Sequence, residues 1–184
     1  MKSLLSLMTV FLCFYAVKAQ RMLPKQKSIG INTGLLLKKS SGNYFVNTDF
    51  IIYSKKGNYS IYSFEYSRQI ILYKMIDVPV ENYSLEVGYS FNLIADLTKS
   101  FLINSTFYAT GGYENINKSE TLLYDGAVLL NESTWVYGGS AKLSFEAYLS
   151  DRIVLTGFYK AKIVWNTSLE KIRPGVGLGI RFNL

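Results

Sequence analysis

The chain has no histidine, one cysteine and three prolines among 184 residues, and these absences exclude more functions than any motif supports. Without histidine, a Ser-His-Asp triad, a Cys-His dyad, a Cys/His zinc site or a His-ligated haem cannot be built. Carboxylate, Lys, Tyr, Ser and Thr chemistry is what remains. Three prolines supply no Pro-rich linker, and the length suits one domain. Charged residues are scarce at 18%, although Lys+Arg outnumber Asp+Glu by 20 to 13. After the N-terminal segment no apolar run is long enough to cross a membrane as a helix. What the chain has in quantity is Tyr (15), Phe (11) and Gly (14).

The first 19 residues have the layout of a secretory signal peptide: basic Lys2, an apolar run from Leu4 to Val17, and small residues Val17 and Ala19 at the spacing a signal peptidase needs. The run falls short of the roughly 20 residues of a spanning helix. Cys13 follows the bulky Leu12, where lipoprotein processing needs a small residue. Cleavage before Gln20 would remove Cys13, Lys2 and Lys18, leaving no cysteine and lowering the formal charge from +7 to +5. The expected division is a signal peptide at 1–19, a periplasmic N-terminal segment at 20–27, and a β-barrel at 28–184.

The barrel expectation comes from period-two alternation. In Tyr83 to Leu93, the bulky Tyr83, Leu85, Val87, Tyr89, Phe91 and Leu93 share one face, and Ser84, Glu86, Gly88, Ser90 and Asn92 share the other. Trp135 to Leu149 and Gly175 to Leu184 repeat the pattern. Weaker versions cover Ile29 to Leu37, Tyr44 to Tyr53, Tyr59 to Ile70, Phe101 to Glu114 and Ile153 to Trp165. These eight segments, each at or above the roughly 9 to 11 residues a tilted strand needs, predict an all-β fold: an eight-stranded antiparallel transmembrane β-barrel of the outer-membrane type. Connectors at 54–58, 95–99 and 150–152 are short. Those at 38–43, 74–82, 115–134 and 166–171 include the longest, which is the pattern of periplasmic turns and extracellular loops. Within the long 115–134 loop, Leu122 to Leu129 is expected to form a short hairpin about Asp125-Gly126, and Tyr124, Asp125 and Gly126 are candidate partner contacts.

Alternation alone leaves open which face points inward, since a soluble barrel of the lipocalin kind also alternates. Gly175, Gly177 and Gly179 on the polar face favour a narrow lumen there, because glycine weakens a strand and gains nothing on a solvated surface. The same face carries Glu65, Glu86 and Glu146 with Lys142, Lys160, Lys162 and Arg181. Sealed in a lumen, these would have to form a paired charge network. Tyr83, Tyr113, Trp135 and Trp165 at strand ends suit a membrane-interface belt.

Other motifs carry little. Six Asn-x-Ser/Thr sequons occur, but Asn104 falls within a strand. The glycine-rich Gly175–Gly179 stretch has no following helix to receive a phosphate. Basic residues form no cluster larger than Lys25-Gln26-Lys27, Lys38-Lys39 or Lys55-Lys56, so direct nucleic-acid contact is not expected. Glu86 and Glu146 have lysine neighbours, which favours ion pairing over acid/base work. No enzyme activity, cofactor or metal is expected.

Five separated strings, QRMLPKQK at 20–27, EYSRQ at 65–69, LLYDGA at 122–127, YLSDR at 148–152 and RPGVGLGIRFN at 173–183, resemble the TraO family of conjugative-transposon transfer proteins from Bacteroides-type bacteria. The resemblance implies an accessory of the conjugative mating apparatus in the donor's outer membrane, with other transfer proteins and outer-membrane lipid as partners and no catalytic residues. Ile180, Phe182 and Leu184 share one face at the chain end and form the expected signal to the outer-membrane assembly machinery. Leu184 stands where such barrels usually end in Phe. A filled eight-stranded lumen cannot pass DNA, which leaves a scaffold or docking role. A small OmpX-like barrel for adhesion or envelope protection is the alternative.

Overall fold

A computed structural model describes residues 23–37, 42–73, 76–119, 133–167 and 169–184, so the expected signal peptide and the 122–129 hairpin lie outside the described residues. Eight strands follow in order: β1 (Lys27–Leu36), β2 (Tyr44–Tyr53), β3 (Tyr59–Tyr73), β4 (Ile76–Ala95), β5 (Phe101–Ile116), β6 (Thr134–Tyr148), β7 (Ile153–Trp165) and β8 (Ile172–Asn183). Each pairs antiparallel with the next, and β8 returns to β1 from Ser28↔Asn183 to Leu36↔Gly175, closing the barrel without a free edge.

Alternation sets the two faces directly. In β7, Leu155, Tyr159, Ile163 and Trp165 are exposed, while Thr156, Lys160 and Lys162 are buried. On the outer face Tyr44, Tyr66, Tyr83, Tyr113, Trp135, Tyr137 and Trp165 gather at the loop end. Successive rings touch there, Tyr66–Tyr83 at 5.2 Å and Tyr113–Trp135 at 5.3 Å. At the turn end Phe91, Phe101, Phe145 and Phe182 replace them, with Phe101 and Phe145 stacked at 5.8 Å. Between these two levels no charged residue of the described strands faces outward, so the wall is an apolar band bounded by aromatic girdles, as a bilayer requires.

Several boundaries differ from the sequence expectation. The connector expected at 74–82 is largely strand: β3 and β4 stay paired out to Tyr73↔Ile76, past the last β2 partner (Tyr44↔Arg68) and the last β5 partner (Val80↔Ile116). Pro79 lies within this paired stretch. It sits opposite Ile70, whose N–H turns away from β4 to donate to Asn43 Oδ1 at 2.8 Å. Pro79 therefore lacks its N–H on the side where β5 has already ended, and no ladder bond is lost. The 115–134 loop is shorter than expected, because Asn115 and Ile116 extend β5 and Thr134 opens β6; Ile116 turns inward onto Val78 and Val80. At the start, Lys27 belongs to β1, and Leu184 N–H donates to its carbonyl at 2.9 Å.

The lumen is less uniformly polar than a small-residue interior would be. At the turn end Ile51, Tyr53, Tyr59, Ile61, Leu102, Tyr108, Tyr148 and Val154 form one buried cluster. At the loop end Val78, Val80 and Ile116 form another, covered by Leu169 of the β7–β8 connection. Glycines make room for inward rings. A Cβ on Gly34 would lie 2.5 Å from the Phe45 ring and one on Gly177 2.6 Å from the Phe158 ring, and these two rings meet across the lumen at 6.0 Å.

Candidate functional site

Between the two apolar clusters, charged side chains from seven strands, all but β1, stack in levels along the barrel axis. Nearest the turn end, Arg181 of β8 makes a two-pronged contact with Glu146 of β6, donating at 2.6 and 2.9 Å. Tyr59 donates to the same carboxylate at 2.7 Å, and Arg181 also donates to the Tyr53 hydroxyl at 2.7 Å. Planar guanidinium–carboxylate pairing of this kind fixes geometry as well as charge.

The next level pairs Lys142 of β6 with Asp49 of β2 more loosely, at 3.7 Å. Asp49 is held by Ser63 and Asn32, which donate at 2.5 and 2.9 Å. Lys142 Nζ lies 5.4 Å from the Tyr108 ring centroid and 5.3 Å from that of Phe158, so ring faces supply part of the stabilisation that a closer carboxylate would give. Above it, Lys160 and Lys162 of β7 share Glu65 of β3 and Glu86 of β4. Lys160 reaches them at 2.6 and 2.5 Å, and Lys162 at 2.5 and 2.8 Å. Ser84 accepts a further bond from Lys162 at 3.1 Å. At the loop end Arg173 donates to Glu114 at 2.6 Å, and Thr167 donates to the other oxygen of that carboxylate at 2.7 Å.

All seven charged residues singled out from alternation, Glu65, Glu86, Lys142, Glu146, Lys160, Lys162 and Arg181, are buried inside the barrel and lie in these levels. Asp49, Glu114 and Arg173 join them. Asp49 and Glu114 sit at inward positions of segments already read as strands, so the pattern held the signal for both. Arg173 lay outside the 175–184 run assigned to the last strand. With these three the described lumen holds five acids and five bases, a neutral interior in which every carboxylate faces a cation. Such an arrangement fills the barrel, and each acid and base of the described lumen has an opposite charge beside it. A cavity of about 20 Å³ remains between Glu65, Gln69, Asn82, Lys160, Lys162 and Arg173, room for about one water.

The other expected sites fall outside this network. Ile180, Phe182 and Leu184 lie on the outer wall at the turn end, with Phe182 and Leu184 exposed. Tyr124, Asp125 and Gly126 lie outside the described residues.

The family model described as "Conjugative transposon protein TraO" matches residues 23–184. No curated protein matches the chain. Among solved structures the barrel is similar to neisserial surface protein A, NspA, at 11% identity with a TM-score of 0.60, covering 87% of this chain and 97% of that one. It is also similar to Ail, the attachment invasion locus protein of Yersinia pestis, crystallised with the heparin analogue sucrose octasulfate (14% identity, TM-score 0.54, 86% and 97% covered). A third is the N-terminal β-barrel domain of Pseudomonas aeruginosa OprF (11% identity, TM-score 0.52, 87% and 98% covered). At these identities the likeness is one of fold: an eight-stranded outer-membrane barrel.

Proposed function

Because this chain belongs to the TraO family of conjugative transposon proteins, we propose that it is a non-enzymatic outer-membrane part of the DNA-transfer apparatus that docks other transfer proteins and does not itself conduct DNA. The observation that carries this reading is the plugged lumen: four levels of ion pairs between two apolar clusters leave no path for a nucleic acid. The protein is then useful through its surfaces. On this reading the leader at 1–19 is cleaved, the turn end faces the periplasm and the loop end faces outward, as in outer-membrane barrels generally. The N-terminal segment before β1 and the connection between β5 and β6 are the docking elements.

Deleting the gene from a donor strain and restoring it in trans tests the role. Transfer frequency is expected to fall in the deletion and recover on complementation; undiminished transfer would reject it. The fold shared with Ail, which is named for attachment, supports the second reading of a small adhesive barrel. That reading predicts normal transfer but reduced surface binding by the deletion strain.

A further inference from the structure

The described charges divide unevenly among three places. The lumen is neutral, and the loop end is balanced, with Arg68, Lys118 and Lys171 against Asp77, Glu81 and Glu170. The turn end carries Lys25, Lys27, Lys55, Lys56, Lys99 and Arg152 against only Asp96 and Asp151. The excess positive charge of the described chain therefore sits at one end of the barrel.

All six of these cations are solvent-exposed; Lys27 opens β1, and the other five lie in the turns and the N-terminal segment.

 No ion pair among the described residues involves them. Asp96 is engaged by its own turn: burial pushes its carboxyl up, but hydrogen bonds from Phe101, Thr98 and Ser100 outweigh this and hold it below the usual carboxylate value.

Three of these lysines occupy strained positions. Lys25, Lys56 and Lys99 have φ of 71°, 61° and 53°, a region where glycine and asparagine are the usual residues. At the loop end two of the three such positions, Asn117 and Asn166, do hold asparagine. Lysine at the turn tips thus keeps a charge against the backbone's preference. The cations are also spread round the mouth, from β1 through the β2–β3, β4–β5 and β6–β7 turns, where a single docked protein would need them on one side. Just above them the wall carries Phe where the loop end carries Tyr and Trp, so hydroxyl and indole donors to headgroups are few there. Leu97, fully exposed at the tip of the β4–β5 turn beside Lys99, suits the boundary between acyl chains and headgroups.

We propose that the turn-end rim is a cationic collar that binds the phosphates of anionic phospholipids surrounding the barrel. The inference requires only that the barrel spans a bilayer and is independent of the transfer role. The test is to reconstitute the chain in nanodiscs of equal phosphatidylglycerol and phosphatidylcholine, release it, and measure the retained lipids by native mass spectrometry. Phosphatidylglycerol is expected to be enriched about fivefold, the effect of one surface cation on an anionic lipid. The enrichment should vanish in Lys25→Gln/Lys27→Gln/Lys55→Gln/Lys56→Gln/Lys99→Gln/Arg152→Gln and persist in the loop-end control Arg68→Gln/Lys118→Gln/Lys171→Gln. If the six-substitution variant does not fold, as judged by heat-modifiable migration, Lys55→Gln/Lys56→Gln alone should lower the enrichment by half or more. Equal retention of the two lipids by the unmodified chain, or enrichment that survives neutralisation, overturns the proposal. So does equal retention combined with impaired transfer by the neutralised variant, which would assign the collar to an acidic protein partner.

Discussion

The inner and outer faces of each strand are one residue apart in sequence, yet they handle polarity in opposite ways. The wall excludes charge between its girdles, whereas the lumen concentrates it and pairs it. The physical reason is what each face meets. Lipid supplies no hydrogen-bond partner, so a polar group there has no compensation. The lumen is lined by seven other strands, and a charge can be answered across it. Polarity is therefore tolerated according to whether a partner is within reach, and depth from water alone does not decide it.

The sharpest way to break this contrast is to remove one partner inside. Glu146→Gln would leave the Arg181 guanidinium buried with only tyrosine hydroxyls and a neutral amide, and breaking a buried pair costs about 3–5 kcal/mol. Urea unfolding of the refolded barrel should show this loss; a midpoint within error of the unmodified chain would mean that the pair is dispensable. Next in size is a charge placed where no partner exists. Val87→Arg, on the wall between Tyr83 and Phe91, should cost about 2–4 kcal/mol near the bilayer midplane and slow folding into vesicles, while Ser84→Ala on the lumen side should fold almost normally. Equal behaviour of the two would mean that the faces are reversed. The smallest expected effect compares two glycines. A Cβ on the inward Gly138 would run into the Ile163 carbonyl, whereas one on the outward Gly111 meets nothing within 4 Å. Gly138→Ala should destabilise by about 1–3 kcal/mol and Gly111→Ala should be neutral or slightly stabilising, read from the same unfolding curves.

The alternating pattern made the strand count, the polar lumen and seven of its charged members legible in the sequence. It failed where both faces are apolar. Phe50-Ile51-Ile52-Tyr53 has no period-two contrast, so nothing marked Ile51 and Tyr53 as part of an inner cluster. The pairing of particular charges was also out of reach, because it depends on the barrel's stagger: Lys162 meets Glu65 across 97 residues of sequence, and no local rule connects them. The strand character of 76–82 was not legible for a different reason, since the cost of Pro79 there depends on whether a neighbouring strand is still present at that height. The TraO assignment was carried by whole strings of residues and not by any of these physical features.

The levels of the lumen also bear on how the barrel forms. Their pairs join β6 to β8, β7 to β3 and β4, and β8 to β5, across 35, 97, 74 and 59 residues. None is satisfied within a single hairpin. A partly assembled sheet would hold Glu146 or Glu114 without its arginine, because both arginines lie on the last strand, so intermediates gain little from the charges they have already gathered. Long-range closure of this kind is entropically slow, and the stabilisation from the two arginine pairs arrives only when β8 docks. The C-terminal strand thus both seals the sheet and answers the two carboxylates that the earlier strands leave waiting.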